Sequence, residues 1–164
     1  MNILETAPIS TVRRNHGIEH ATVHVLTEHD PNTRLVGRAD TTGFNIYGDI
    51  PTDKLEAAAK EALKRLQSGE GNLAVHPRCG TNLVVAGLVT ALAAVLALGR
   101  KPSVRRIPDV ILATTVAAYV SQPLGLSFQQ YVTTSPDAKG ARVKGIRQFK
   151  MGQIQAQHVD IEWE

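Results

Sequence analysis

The spacing of hydrophobic residues changes several times along the chain, and each spacing predicts a different element. Between Val12 and Leu26 the apolar positions form no clean stripe, and three histidines share the segment with them. A surface helix would show one apolar face, so this pattern favours a largely buried helix. Ser10 or Thr11 is its candidate cap, and Asp30 precedes the proline that stops it.

The next segments alternate between strand and helix patterns. Residues 35–40 and 44–49 have strand-like compositions around a Thr-Thr-Gly turn, which predicts a hairpin. Residues 54–67 carry apolar side chains at helical spacing, with Thr52 as a cap, and predict an amphipathic helix. A brief strand is expected at 72–75.

Two long apolar runs follow. Residues 83–98 contain one polar side chain, Thr90, and as a helix they would span about 24 Å, the short end for crossing a bilayer. Residues 110–124 form a second apolar segment that ends near Pro123, and the turn between the two runs is basic. The runs predict a helical hairpin, either in a membrane or as core helices buried by the fold or by an oligomer interface.

The C-terminal part predicts strands again. Residues 128–134 are expected to be extended, and residues 142–151 and 153–163 alternate in a strand-like way around Gly152. Ile154 is among the positions expected to be buried. Together with the N-terminal segments, this order predicts an α+β fold in which a metal-site helix accompanies a small mixed sheet.

Length and composition fit one domain, 1–164, interrupted by the hairpin. We expect an N-terminal α+β part at 1–81, the apolar hairpin at 82–125 and C-terminal strands at 126–164. A net charge of only +3 and 4% aromatic residues give no reason to expect a nucleic-acid partner. The single cysteine, Cys79, excludes an internal disulfide, and the first ten residues lack the basic and apolar regions of a signal peptide.

The strongest chemical signal is the segment from His16 to His20, which has the order H-x-x-E-H. Residues four apart in a helix lie on one face, so His16 and His20 can present two imidazoles to one divalent metal ion, with Glu19 beside them. His24 continues that face. It lies two turns from His16 and points away from a compact site, so an outer or buried histidine is the better interpretation.

A second motif, residues 76–81, supplies further ligands. Cys79 is a candidate thiolate ligand, and His76, three residues before it, is a candidate ligand or proton shuttle. Pro77 and Gly80 constrain the loop that presents them. A mixed histidine and cysteine set favours zinc. The expected metal ligands are His16, His20, His76 and Cys79.

Three side chains are candidates for catalysis. Glu19 is a candidate general base that takes a proton from water activated by the ion; the alternatives are a metal ligand or a carboxylate that only pairs with a nearby arginine. Arg78 is a candidate for holding an anionic substrate or developing negative charge, although a loop arginine is more often a surface ion-pair partner. His76, as the proton shuttle, is the third.

The motifs His16-Gly17-x-Glu19-His20 and His76-Pro77-Arg78-Cys79-Gly80-Thr81, followed by a hydrophobic hairpin, resemble those of the YqhQ-like family. Those are bacterial membrane proteins described as predicted metal-dependent enzymes. With residues 43–48 and 131–134, the whole chain also resembles a smaller domain-of-unknown-function group that carries both motifs. The resemblance implies one site beside the hairpin and no particular substrate. The implied site residues are His16, Glu19, His20, His76 and Cys79.

The order H-x-x-E-H is also similar to that of the inverted zinc peptidases, in which two histidines bind zinc and the glutamate is the base. This chain is far shorter than those enzymes, and no glutamate stands out as the distant third ligand. Convergent use of the same helix geometry is therefore the better explanation.

These features together predict a membrane-associated, zinc-dependent hydrolase of a bacterial-type inner membrane. Its substrate would be a peptide or a small molecule, with peptide hydrolysis as one candidate reaction. The expected partners are the lipid bilayer and a second copy of the chain, joined through the apolar helices. A soluble cytoplasmic oligomer is the alternative to membrane association. The alternatives to catalysis are a protein whose structural metal has four protein ligands and no place for water, and a metal-free interaction protein that oligomerises through its apolar helices.

Overall fold

The computed structural model describes residues 2–152 and 154–164. Gln153, with which the last predicted strand begins, and the side chain of Ile154 lie outside the described residues. The chain divides into two compact units. The first comprises the residues up to His76 together with Gln130–Glu164, and the second, Pro77–Gln129, is inserted between them. The insert is thus longer than the 82–125 expected from sequence, and the single-domain assignment stays a prediction.

The described ranges contain four α-helices and four strands. The helices are α1 (Ile9–His29), α2 (Thr52–Gln67), α3 (Gly80–Leu98) and α4 (Ile107–Phe128). The strands are β1 (Val36–Ala39), β2 (Gly43–Tyr47), β3 (Ala141–Met151) and β4 (Ile154–Trp163). Three short 3-10 turns and one π-turn complete the order: Ile3–Glu5, Gly71–Ala74, Val104–Arg106 and Gln129–Thr133.

The strands form one sheet in the first unit, in the order β1-β2-β4-β3. Each neighbouring pair of these described strands is antiparallel, where a mixed sheet was expected. Both predicted hairpins, β1–β2 and β3–β4, are present, and the α+β class is confirmed. The central pairing, β2 with β4, joins parts of the chain that lie on opposite sides of the insert.

Helix α1 is buried along most of its length, as its irregular apolar pattern predicts. It contacts α2, both strands of the first hairpin and the turn Gly71–Ala74. Ile18, Ala21 and Val25 are fully buried, together with polar side chains of the same helix. Neighbours on several sides explain why the apolar residues form no single stripe.

Helix α2 covers α1 with the apolar face that its spacing predicts. Leu55, Ala59 and Leu63 are buried in the common core, where each large aliphatic side chain contributes about 1.5–3 kcal/mol. The helix begins at Thr52, so the predicted cap is its first helical residue, and Pro51 occupies the cap position. Proline is compatible with this position because a helix start has no partner for its N–H in any case.

Two short segments differ from their predicted conformation. The strand expected at 72–75 is largely the 3-10 turn Gly71–Ala74, in which Leu73 and Ala74 are buried. The extended segment expected at 128–134 is mainly the π-turn Gln129–Thr133. A run of four to seven residues carries too few positions for its period to be read, so tertiary contacts decide the backbone.

The second unit is the predicted helical hairpin of α3 and α4. Cys79 caps α3, its sulfur accepting a hydrogen bond from the backbone N–H of Thr81. Helix α4 continues past Pro123, where the sequence predicted its end. One proline removes one backbone hydrogen bond, whereas Gly125 and Gln129 beyond it are buried, and the side chain of Gln129 donates to that of Asn82.

Two helical stretches, Gly80–Leu98 and Val104–Thr133, are long and apolar enough to cross a membrane. No residue of α3 is buried, and Leu83, Leu88 and Leu96 are among its most exposed side chains. Much of the apolar surface of α3 is therefore exposed. The two predictions for what buries these side chains, a lipid bilayer or an oligomer interface, both stay open.

Candidate metal centre

One side of α1 and the segment after the turn Gly71–Ala74 bring four imidazoles into a row. The ring centroids of His16 and His20 lie 4.3 Å apart in a T-shaped contact. The ring of His76 lies 5.9 Å from that of His20 and 4.7 Å from that of His24. We call these four residues the histidine row. His24, which was expected to be an outer or buried histidine, lies at one end of this row.

A main-chain carbonyl holds each of the three histidines that α1 contributes to the row. The pairs are His16 Nδ1 with the oxygen of Thr133 (3.0 Å), His20 Nδ1 with that of Ala74 (2.8 Å) and His24 Nε2 with that of Val75 (2.9 Å). A carbonyl oxygen only accepts, so the ring nitrogen that faces it carries the proton, and in a neutral ring the other nitrogen keeps its lone pair. Proteins orient imidazoles toward metal ions in this way.

The Nε2 atom of His20 is buried and has no hydrogen-bond partner among the residues that the structure describes. The residue is 2% exposed. Burial, reinforced by the ring of His16, lowers the pKa of His20 to about 3, so the ring is neutral at pH 7 and offers a lone pair. An unsatisfied buried acceptor costs about 1–3 kcal/mol. A zinc ion bound at Nε2 would remove that penalty, and imidazole nitrogen suits zinc, so the residues present fit the expected metal.

The carboxylate of Glu19 lies beside the same nitrogen-rich surface. Its Oε2 is 3.9 Å from Nε2 of His16, and the residue is 5% exposed. Glu19 packs against β1 at Gly37, where a Cβ atom would lie 1.9 Å from Oε1 of the carboxylate. Only glycine lets the carboxylate occupy this place. Sequence reasoning missed Gly37; a glycine inside a short strand was the available signal, since it marks a close approach.

The segment 133–135 lies directly against the start of α1. A Cβ atom at Gly17 would lie 2.1 Å from the backbone oxygen of Ser135, and the N–H of Ser135 donates to the oxygen of Arg13 (2.9 Å). The guanidinium of Arg13 donates in turn to the oxygen of Thr134 (3.2 Å). These contacts bring the carbonyl of Thr133 to His16. One signal of these contacts is visible in the sequence, a glycine in the interior of a helix.

The structure brings His16, Glu19, His20 and His76 together in the first unit. His76 is the last residue of that part of the unit. Arg78 and Cys79 belong to the second unit, Arg78 as an exposed residue of the loop before α3 and Cys79 as the cap of α3. Their expected parts, an anion contact for Arg78 and a metal ligand for Cys79, stay predictions.

Other polar features of the first unit lie apart from the histidine row. His158 is buried in the sheet, with Nδ1 3.0 Å from the side-chain oxygen of Asn45, which fits a structural role. A cavity of about 730 Å³ opens at the C-terminal end of α1, lined by Leu26, His29, Lys54 and others. No member of the row lines this cavity.

The sequence model of a domain of unknown function, DUF6391, matches residues 11–146, which include all but the first two residues of α1 and the whole histidine row. The chain belongs to the DUF6391 family. An uncharacterised protein of Picosynechococcus sp. is 37% identical over 135 residues, which cover 76% of this chain and 66% of that protein, so the chain spans slightly less than two thirds of its relative. No solved structure matches the chain.

Membership of DUF6391 confirms the resemblance to a domain-of-unknown-function group. The finer resemblance, to the YqhQ-like family, stays a prediction. Neither the DUF6391 description nor the relative's name states an activity. The function must therefore be argued from the residues of the site.

Proposed function

We propose that this chain is a zinc-dependent hydrolase associated with a membrane, with peptides or small molecules as substrates and peptide bonds as one candidate target. The observation that supports this best is the buried, unpartnered Nε2 of His20 next to the ring of His16. A carboxylate, that of Glu19, lies beside the same pair.

His16 and His20 are the proposed ligands of the ion through their Nε2 atoms. Two imidazoles that share a zinc ion have ring centroids roughly 4.5–5.5 Å apart, because each Zn–N bond is about 2.1 Å. The observed 4.3 Å is just below this spacing, so a small rotation of either ring suffices. Cys79 is the proposed third ligand on sequence grounds, since it follows His76 by three residues.

Glu19 is the proposed general base. When bound, zinc supplies Lewis acidity toward water and toward the oxygen of a carbonyl or phosphoryl group. The carboxylate of Glu19, held in place over Gly37, takes a proton from the attacking water. His76 is proposed as a further ligand of the centre or as a proton shuttle, and Arg78 as the contact of an anionic substrate or of developing negative charge.

Membrane association is proposed for α3 and α4. The first of these helices has no buried residue, and its apolar run from 83 to 98 has no charge. Charged residues would be expected on a surface in water, whereas lipid favours this composition. The rival proposal, a soluble oligomer that covers the same side chains, predicts a chain that needs no detergent.

A non-catalytic structural metal site is the second candidate, and one observation favours it. The histidine row offers more imidazoles than the two that the catalytic proposal uses, and further protein ligands would fill the position that a reacting water needs. Catalysis requires an open position beside Glu19. Removal of this carboxylate should therefore abolish hydrolysis in a catalytic site, whereas a structural site has no hydrolysis to lose.

The test uses the full chain purified in detergent. Elemental analysis should find tightly held zinc in the wild type and none at that site in a His16→Gln/His20→Gln variant. His29→Gln, on an exposed part of the same helix, should keep the zinc. Glu19→Gln should also keep zinc but hydrolyse a fluorescence-quenched peptide library about 10²–10⁴-fold more slowly. Wild-type protein that holds no zinc after zinc is supplied contradicts the proposal, and Glu19→Gln protein that loses zinc makes Glu19 a ligand.

A further inference from the structure

His24 and His76 form a pair of their own within the histidine row. Their ring centroids lie 4.7 Å apart with an interplanar angle of 67°, whereas His76 and His20 are 5.9 Å apart. The spacing of rings that share a zinc ion is roughly 4.5–5.5 Å. The pair His24–His76 has this spacing, and the pair His20–His76 does not.

The imidazole of His24 is oriented in advance, as those of His16 and His20 are. Its Nε2 donates to the carbonyl of Val75, which leaves Nδ1 as the nitrogen with the lone pair. The preceding carbonyl, that of Ala74, holds His20. The carbonyls of two consecutive residues, Ala74 and Val75, therefore orient His20 and His24 respectively.

The carboxylate nearest along the helix does not complete this pair. Glu28, one turn after His24, is engaged by the guanidinium of Arg65 at 2.7 Å. Glu28 is thus already paired, and the two imidazoles are the donors on which this pair depends. Imidazole donors favour zinc, nickel or copper over magnesium or calcium.

We infer that His24 and His76 hold a second divalent transition-metal ion next to the zinc proposed at His16 and His20. With two protein ligands, this position binds its ion more weakly than the first. The inference deepens the proposed function, because hydrolases of phosphate esters and peptides use two ions about 3.5–4 Å apart to hold the attacking and leaving oxygens. It therefore adds phosphate esters to the substrate classes worth testing.

The experiment is a zinc titration of the full chain in detergent, against a chromophoric chelator that reports each bound ion. The wild type should bind two zinc ions with distinct affinities. His24→Gln should lose the weaker ion and keep the tight one, because its side-chain amide can still donate to the carbonyl of Val75. His76→Gln should also lose the weaker ion. The matched control His29→Gln changes a side chain that is 73% exposed on the same helix, and it should bind two ions.

Two results would overturn the second position. One is a single zinc ion in both the wild type and His24→Gln; the proposed function would survive it. The other is a wild type that binds one zinc ion and a His24→Gln variant that loses it with unchanged circular dichroism, since His24 would then be a ligand of one shared ion. The proposed function fails separately, if His16→Gln/His20→Gln keeps the tight ion. If His24→Gln does not fold, His76→Gln tests the second metal position in its place.

Discussion

At Gly17 the backbone of α1 and that of Ser135 are too close for any side chain between them. An added Cβ atom would lie 2.1 Å from a carbonyl oxygen, and neither backbone segment can rotate away as a flexible side chain would. Because the carbonyl of Thr133 that orients His16 lies two residues earlier, separation at this contact also frees the ring of His16.

Gly17→Ala should therefore lower the free energy of unfolding by about 1–3 kcal/mol, the range for overpacked sites. Zinc affinity should fall with it, because His16 loses its fixed orientation. Urea unfolding and chelator competition measure the two effects. Gly145→Ala is the control, since a Cβ atom there meets nothing within 4 Å. Equal stability and affinity in both variants would contradict the packing described for Gly17.

The candidate site was predictable where a single helix defines it. The period of α1 alone places His16, Glu19 and His20 together, because residues three and four apart always share a face. The contacts that complete the site could not be predicted. His16 and Thr133 are 117 residues apart, and a long-range pairing of a ring with a carbonyl leaves no pattern in either local sequence.

The packing between α3 and α4 depends on small and polar residues. Gly125 lies against Asn82, where a Cβ atom would be 2.5 Å from the side-chain oxygen. The same oxygen accepts a hydrogen bond from the side chain of Gln129 at 2.6 Å. Small residues that allow close approach, joined by a polar contact, are typical of helices that associate within a membrane.

Gly125→Ala should destabilise the hairpin by about 1–3 kcal/mol, because the added methyl group displaces Asn82 from its bond with Gln129. Thermal unfolding in detergent, followed by helical circular dichroism, measures this effect. Gly87→Ala is the matched control in α3, where a Cβ atom has nothing within 4 Å. A Gly125→Ala chain as stable as the Gly87→Ala chain would show that this contact contributes nothing.

Long elements were predicted from sequence more accurately than short ones. Helix α2 and the hairpin β3–β4 have ten or more residues per element, enough for a period of 3.6 or 2 to be recognised. The turn Gly71–Ala74 is short and apolar, and its conformation follows from the burial of Leu73 and Ala74. The predicted end of α4 was wrong for another reason. Pro123 is a local signal for a helix end, but the helix continues past it to Phe128.

A charge in the middle of α3 should weaken the association of the whole chain with a membrane. Arginine at the centre of a spanning helix costs about 2.5–3.5 kcal/mol. Leu88→Arg, at the middle of α3, should therefore move much of the chain out of the carbonate-resistant membrane fraction. Val36→Arg is the control, because Val36 is 66% exposed and Leu88 72%, but Val36 lies on a strand of the first unit. Wild-type protein that is soluble without detergent would contradict membrane association.

The pairing of β2 with β4 has a consequence for the order in which the parts of the chain can fold. Strand β4 and the segment around Thr133 are synthesised after the whole apolar hairpin. During translation, α3 and α4 therefore leave the ribosome before the sheet can close or His16 can meet its carbonyl. The hairpin therefore meets its surroundings before His16 is oriented, so a chain stalled at that stage carries an incomplete histidine row.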